Sequence, residues 1–184
     1  MDNKRLHFYL HEYDFPYHNY LLENLTYIDK IYEEGKVDAL GNELANVRLY
    51  HNDIWNFLNP KLIKIVTENY YVSPPFIDHE IGIYKQQNNS HIYPSHNHYH
   101  SSTMIGIVYI NPPKSQEGGE LILHPNPAYK DVIKITPKPN KLYLFPGWVF
   151  HHVSPQISSI PRYSLNWGYY SRMRPIHKLT SDQW

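Results

Sequence analysis

The chain has 184 residues, 17 basic against 17 acidic side chains, and no cysteine. That length suits one domain with a sizeable core. The zero net charge argues against non-specific binding to nucleic acid or an anionic membrane, and the absence of cysteine excludes disulfides, zinc ribbons and thiol catalysis.

No apolar run approaches a membrane-spanning length, and the opening MDNKRLHFYLHEYD is not a signal peptide. A cytoplasmic location is expected. In chain order, residues Leu6 to Leu10 predict a short strand. Asp14 then precedes a helical pattern over 15–34, with Pro16 near its first turn. Leu21, Leu25, Ile28 and Tyr32 fall on one apolar face, and Gly35 is expected as the C-cap. Residues 44–50 predict a strand. Asn59 and Pro60, in N-cap and first-turn positions, predict a second helix over 60–71. Leu62, Ile65, Val66 and Tyr70 would line its buried side, and Pro74-Pro75 would stop it.

From residue 76 the texture changes to short apolar runs separated by Pro, Gly and Asn turns. Strands are expected at 79–85, 103–110, 119–124, 131–136, 141–145 and 162–170. Helices followed by many strands predict a mainly β domain, with helices on one face of a sandwich or barrel. With no internal repeat or linker, one domain is expected: helical support over 1–75, a β core over 76–170 and a tail over 171–184.

The chemistry-bearing residues cluster in three places. His91, His96, His98 and His100 fall within ten residues, just before the apolar run Thr103 to Ile110. Histidines on the lip of a buried strand suit a transition metal, because neutral imidazole is its commonest protein ligand. The pair could be His96 with His98, or His98 with His100. Downstream, Gly118-Gly119-Glu120 forms a turn into a strand. Then the strand 141–145 leads through Pro146-Gly147 to His151 and His152, followed by a strand opening with Arg162. In that last strand Arg162, Ser164 and Asn166 share one face, and Tyr163, Leu165 and Trp167 share the other. If the apolar face packs under the helices, the polar face lines a barrel mouth. An arginine there offers a planar fork matched to a carboxylate. Trp148 and Phe150 read as rim packing, and His51, His79 and His124 as structural residues without a nameable partner.

The order H-x-H, a strand ending in Tyr-x-Asn, GGEL, LFPxxxxHxVxP and RxS resembles the iron(II)- and 2-oxoglutarate-dependent oxygenases over roughly residues 80–170. The similarity is greatest to small bacterial and phage members related to the prolyl hydroxylases. It implies a double-stranded β-helix (jelly roll) with flanking N-terminal helices. It implies a hydroxylase that uses Fe(II), 2-oxoglutarate and O2 on a small molecule or a peptide or protein side chain, in the host cytoplasm if the source is viral. On the motif matches, His96, His98 and His151 would hold the metal. Arg162 and Ser164 would anchor the far carboxylate of 2-oxoglutarate, with Tyr109 touching it, and Gly118, Gly119 and Glu120 would be structural. The family's usual triad is two histidines and one carboxylate, H-x-D/E with a distal H. Here the acid position holds His98, and no Asp or Glu lies between Ser90 and Gln116.

Two other readings stand beside this one. H-x-H at 96–98 and P-G-x-x-x-H at 146–151 also resemble cupin-type metal enzymes that do not use 2-oxoglutarate. The glutamate expected after H-x-H is missing there, where Ser101, Ser102 and Thr103 stand instead, and Arg162 and Ser164 would have no role. A non-catalytic jelly-roll binding protein is the third.

Overall fold

The computed structural model describes residues 3–7, 10–36, 47–49, 52–69, 78–87, 94–99, 103–112, 114, 117–125 and 132–170. The strands are β1 (Asn3–His7), β2 (Leu10–Asp14), β3 (Val47–Arg48), β4 (Asp78–Gln86), β5 (Met104–Tyr109), β6 (Leu121–His124), β7 (Ile133–Ile135), β8 (Lys141–Pro146), β9 (Phe150–Val153) and β10 (Arg162–Tyr170). The helices are α1 (His18–Glu23), α2 (Leu25–Gly35) and α3 (Asp53–Asn69).

The strands form a major sheet, in the order β1-β2-β8-β5-β10-β4-β3, and a minor sheet, β7-β6-β9. Every pairing between them is antiparallel. From β4 onward the chain crosses back and forth: β5 in the major sheet, β6 and β7 in the minor, β8 major, β9 minor, β10 major. That alternation makes a jelly roll. All six strands expected after residue 76 are present; β9, which carries His151 and His152, is an additional one.

Period-two alternation sorts the side chains into two apolar layers. Ile105, Ile107, Tyr109, Tyr143 and Phe145 point between the sheets, where Leu121 and Leu123 of β6 meet them. Val108, Leu142, Leu144, Leu165 and Trp167 point the other way, onto Leu21, Ile28, Leu58, Leu62 and Val66 of the helices. β5 serves both layers, which is why all six of its residues are buried and its sequence reads as a continuous apolar run. Gly106 allows that double packing. A Cβ there would sit 2.8 Å from both Leu144 and Trp167.

The N-terminal quarter differs from expectation. Instead of one strand over Leu6 to Leu10, the chain makes a hairpin, β1–β2, whose second strand pairs with β8. The major sheet therefore takes β1, β2 and β3 from the N-terminal region, where strands are expected at Leu6 to Leu10 and 44–50 but not as part of the β core. Asp14 does not cap a helix; its carboxylate accepts from Lys141 at 2.6 Å, on the neighbouring strand. The helix expected over 15–34 is two, broken at Asn24. There the side-chain amide donates to the carbonyl of Tyr20 at 2.8 Å and so competes with the regular backbone pattern. Gly35 is not a left-handed cap, since the residue after it stays right-handed. It is a contact point: a Cβ would lie 2.6 Å from Val47 of β3.

α3 begins at Asp53 rather than at Pro60, with Asn52 Oδ1 accepting from the N–H of Trp55 at 2.9 Å. Pro60 sits inside the helix, where it removes one backbone bond at a cost of about 3 kcal/mol. Burial of Ile54 and Leu58 ahead of the proline outweighs that, at about 1.5–3 kcal/mol for each fully buried side chain. Leu62, Ile65 and Val66 are buried as expected; Tyr70, Pro74-Pro75 and the tail 171–184 lie outside the described residues.

Candidate metal centre

β9 explains how the histidines meet. His96 and His151 form an isolated antiparallel bridge that exchanges both main-chain hydrogen bonds, at 3.0 and 2.8 Å. Residues directly opposite in such a pair project from the same face. His98 is two residues from His96 in extended chain and so shares its face, and its N–H is pinned to the carbonyl of Gly147 at 2.7 Å. Three imidazoles thus surround one point, with their ligand nitrogens all within 4.8 Å of one another.

Two of the rings are oriented by main-chain carbonyls. Nδ1 of His96 lies 3.0 Å from the carbonyl of Pro94, and Nδ1 of His151 lies 3.1 Å from that of Val149. A carbonyl can only accept, so each Nδ1 carries a proton, and in a neutral ring that leaves the Nε2 lone pair for a metal. Burial lowers the pKa of His98 to about 4, with His96 adding to it. Burial also lowers that of His151 to about 3, against the pull of the Val149 carbonyl. Both imidazoles are therefore neutral, the form that ligates. Among the described residues no carboxylate joins the group. The alternative partner, His100, lies outside them.

His152, next in sequence, points to the other face of β9. There its Nδ1 lies 3.2 Å from Nε2 of His124, which therefore has a partner that sequence alone did not supply.

Arg162, Ser164 and Tyr109 come together further inside the barrel. Ser164 is directly opposite Tyr109 in the β10–β5 ladder. The Arg162 guanidinium lies 5.0 Å from the centre of the Tyr109 ring. All three residues are buried. Arg162 donates from one terminal nitrogen to the carbonyl of Gly119, while its Nε and the hydroxyl of Tyr109 find no partner. A guanidinium stays protonated even where burial opposes its charge, and among the described residues no carboxylate acts on this one. Burial also raises the Tyr109 hydroxyl to about 12, so it is a donor as well. A buried cation and a buried hydroxyl, both with unused N–H or O–H, fit the far carboxylate of a dicarboxylic acid.

The Gly118-Gly119 turn supports this pocket. Both glycines take positive φ, +74° and +76°, and a Cβ on Gly118 would lie 2.1 Å from the carbonyl oxygen of Pro155. Only glycine passes there, and its neighbour supplies the carbonyl that holds Arg162. Ring contacts along the inner face of β8 join the two halves of the site. Phe145 lies 5.0 Å from His151, and Tyr143 lies 6.1 Å from Tyr109. A cleft at the mouth is lined by His98, Arg48, Tyr84, Asn166 and Gly168 among others. Asn166 presents a buried amide oxygen without a partner. Sequence reasoning missed Arg48 and Tyr84, which come from β3 and β4 and carry no motif.

Fold and site together define a jelly-roll protein with three converging histidines that could hold a metal ion and a buried arginine further inside. The model of the 2OG-Fe(II) oxygenase superfamily matches residues 79–170, half of the chain, and the protein belongs to that family. Its cofactor is Fe(II), with 2-oxoglutarate and O2 as co-substrates. No curated protein matches the sequence significantly. Solved structures share the fold. A prolyl hydroxylase from Trichoplax adhaerens, in complex with a hypoxia inducible factor peptide fragment, is 18% identical; 88% of this chain and 83% of that one are covered, at a TM-score of 0.65. The Pseudomonas putida prolyl-4-hydroxylase is 14% identical over 89% and 93%, at 0.64. The viral collagen prolyl hydroxylase of Paramecium Bursaria Chlorella virus-1 is 13% identical over 90% of each chain, at 0.63.

Proposed function

We propose that this protein is a hydroxylase in which His96, His98 and His151 hold Fe(II), and Arg162, Ser164 and Tyr109 bind the far carboxylate of 2-oxoglutarate. One observation carries the reading. Three converging imidazoles share a barrel interior with a buried, unpaired arginine donor. Bound iron, with 2-oxoglutarate and O2, supplies the oxidation of a substrate C–H bond to C–OH as 2-oxoglutarate becomes succinate and CO2. The chain's own part is placement. Main-chain bonds from His96 and His98 fix the angle of their imidazoles, and Arg162 sets how deep the co-substrate sits. The apolar walls of Ile107, Tyr143 and Phe145 keep water from the interior.

The substrate reading is a peptide or protein side chain ahead of a small molecule. It is supported by the peptide bound to the Trichoplax enzyme and by the collagen activity named for the viral one. The mouth cleft, with Arg48, Tyr84 and the unsatisfied amide oxygen of Asn166, offers groups that pair with peptide N–H and C=O.

The donor set has an electrostatic consequence. Three neutral imidazoles leave a divalent metal its full charge, where the two-histidine, one-carboxylate triad cancels one unit. The dianionic co-substrate would then be bound at a more positive centre than usual. The same donor set is what a cupin-type dioxygenase without 2-oxoglutarate would use, so the test must separate the two. It is anaerobic titration of the protein with Fe(II) and then 2-oxoglutarate, watching for a weak metal-to-ligand charge-transfer band in the visible. The band, followed by succinate on admitting air, is the expected result. Metal binding without any response to 2-oxoglutarate would favour the cupin-like reading.

A further inference from the structure

Arg162 does its work only if its main chain is held in place, and one side chain holds it on both sides. The β5–β10 ladder ends with Ser164 opposite Tyr109. Continuing that register places Asn111 opposite Arg162, but β5 has already ended and main-chain pairing is failing. Pro161, just before Arg162, has no N–H to offer. At this point the Asn111 amide takes over. Its Nδ2 donates to the carbonyl of Pro161 at 2.7 Å, and its Oδ1 accepts from the N–H of Tyr163 at 2.7 Å. The N–H of Ile110 adds a bond to the carbonyl of Tyr163 at 2.9 Å. The orientation of the amide is unambiguous, because a carbonyl can only accept and an N–H can only donate. Arg162 is thereby bracketed at the residue before it and the residue after it. Its other edge is held by Gln86 of β4.

We propose that Asn111 is a positioning residue for 2-oxoglutarate binding: its side-chain amide, bonded to Pro161 and Tyr163, aims the Arg162 guanidinium at the far carboxylate. The inference rests on Arg162 being the carboxylate clamp. Aspartate at 111 keeps the acceptor for Tyr163 but turns the donor to Pro161 into a repulsive oxygen. Alanine removes both. Neither change touches the metal ligands, which sit on the 94–98 segment and β9.

The test compares two anions on the metal-loaded protein by calorimetry, using Mn(II) in place of iron. 2-Oxoglutarate needs both the metal and the clamp. Oxalate chelates the metal but has no far carboxylate. Asn111→Ala is expected to weaken 2-oxoglutarate about tenfold or more, which is about 1.4 kcal/mol, and to leave oxalate within about twofold. Asn111→Asp is expected to fall between Asn111→Ala and wild type, and it decides the matter if the alanine variant does not fold. Gly106→Ala, which crowds the helix-facing core, controls for general destabilisation and should leave the ratio of the two affinities unchanged. If both Asn111 variants lose the two anions equally, or neither, while Arg162→Ala loses only 2-oxoglutarate, the role of Asn111 is structural and the inference is overturned. If Arg162→Ala itself leaves the ratio unchanged, the clamp reading fails and takes the inference with it.

Discussion

The guanidinium of Arg162 lies 5.0 Å from the centre of the Tyr109 ring, and each residue keeps an unsatisfied donor in the barrel interior. Removing the arginine should therefore cost ligand affinity more than metal affinity. Truncating one partner of a desolvated, hydrogen-bonded charge pair costs about 2–5 kcal/mol, or roughly 30- to several-thousand-fold. Arg162→Ala is expected to weaken 2-oxoglutarate by that range while Fe(II) binding holds. Tyr109→Phe should cost less, since it removes one neutral donor to a carboxylate, worth about 1.5–3 kcal/mol. Paired titrations of the two ligands check both. Equal 2-oxoglutarate affinity in wild type and Arg162→Ala would place the co-substrate elsewhere.

The three converging imidazoles make the proposed metal site testable. In a metal-loaded crystal, the nitrogens of His96, His98 and His151 should bind at roughly 2.0–2.2 Å, close to the distances known for zinc. Single alanine substitutions at any of the three should each abolish stoichiometric metal binding at micromolar protein, read by elemental analysis after gel filtration. Alanine at His152, which faces away and pairs with His124, should not. Loss of metal on His152→Ala with retention on His151→Ala would reverse the assignment.

Acid should loosen the helix layer through one carboxylate. Asp29 of α2 accepts from Lys85 at 2.8 Å and from the hydroxyl of Tyr163. Lys85 first, and Tyr163 next, hold its carboxyl below the usual range. A carboxyl lowered in the folded state contributes stability above its unfolded pKa, near 3.9, and loses it as pH falls through the lower folded value. Asp29 is half-exposed, so solvent screening keeps the contribution modest. The difference in melting temperature between wild type and Asp29→Asn should be largest above about pH 5 and shrink towards pH 3. A difference that stays constant across that range would mean the pair contributes no linked protons.

Overpacking at Gly106 tests the double role of β5. A Cβ there would sit 2.8 Å from Leu144 and 2.8 Å from Trp167, with the flat indole unable to retreat as a leucine can. Gly106→Ala should cost about 1–3 kcal/mol in denaturant unfolding. Because the added methyl faces the helices, metal binding should survive. Unchanged stability would show that Trp167 has room the structure does not suggest.

Much of this was written in the chain itself. Short alternating or continuous apolar runs between Pro, Gly and Asn turns located the six strands after residue 76, because strand patterning and turn chemistry are local properties of the chain. The RYSLNW strand announced its two faces, and the structure puts Tyr163, Leu165 and Trp167 under the helices and Arg162 and Ser164 inside. His96, His98 and His151 could be picked out by motif. Where local rules and packing pulled apart, the sequence misled. Pro60 reads as a helix start, yet burial of Ile54 and Leu58 carries the helix past it. Gly35 reads as a cap, yet what demands glycine there is the approach of Val47. Only the tertiary structure could decide the rest, because it depends on pairs far apart in sequence. The bridge between His96 and His151 brings the histidines of two separate motifs together, and the Asn111 amide finds Pro161 and Tyr163 fifty residues on. No local preference encodes such pairs; the first exists because the 94–98 segment is laid against β9, and the second because β5 and β10, far apart in sequence, are neighbours in the major sheet.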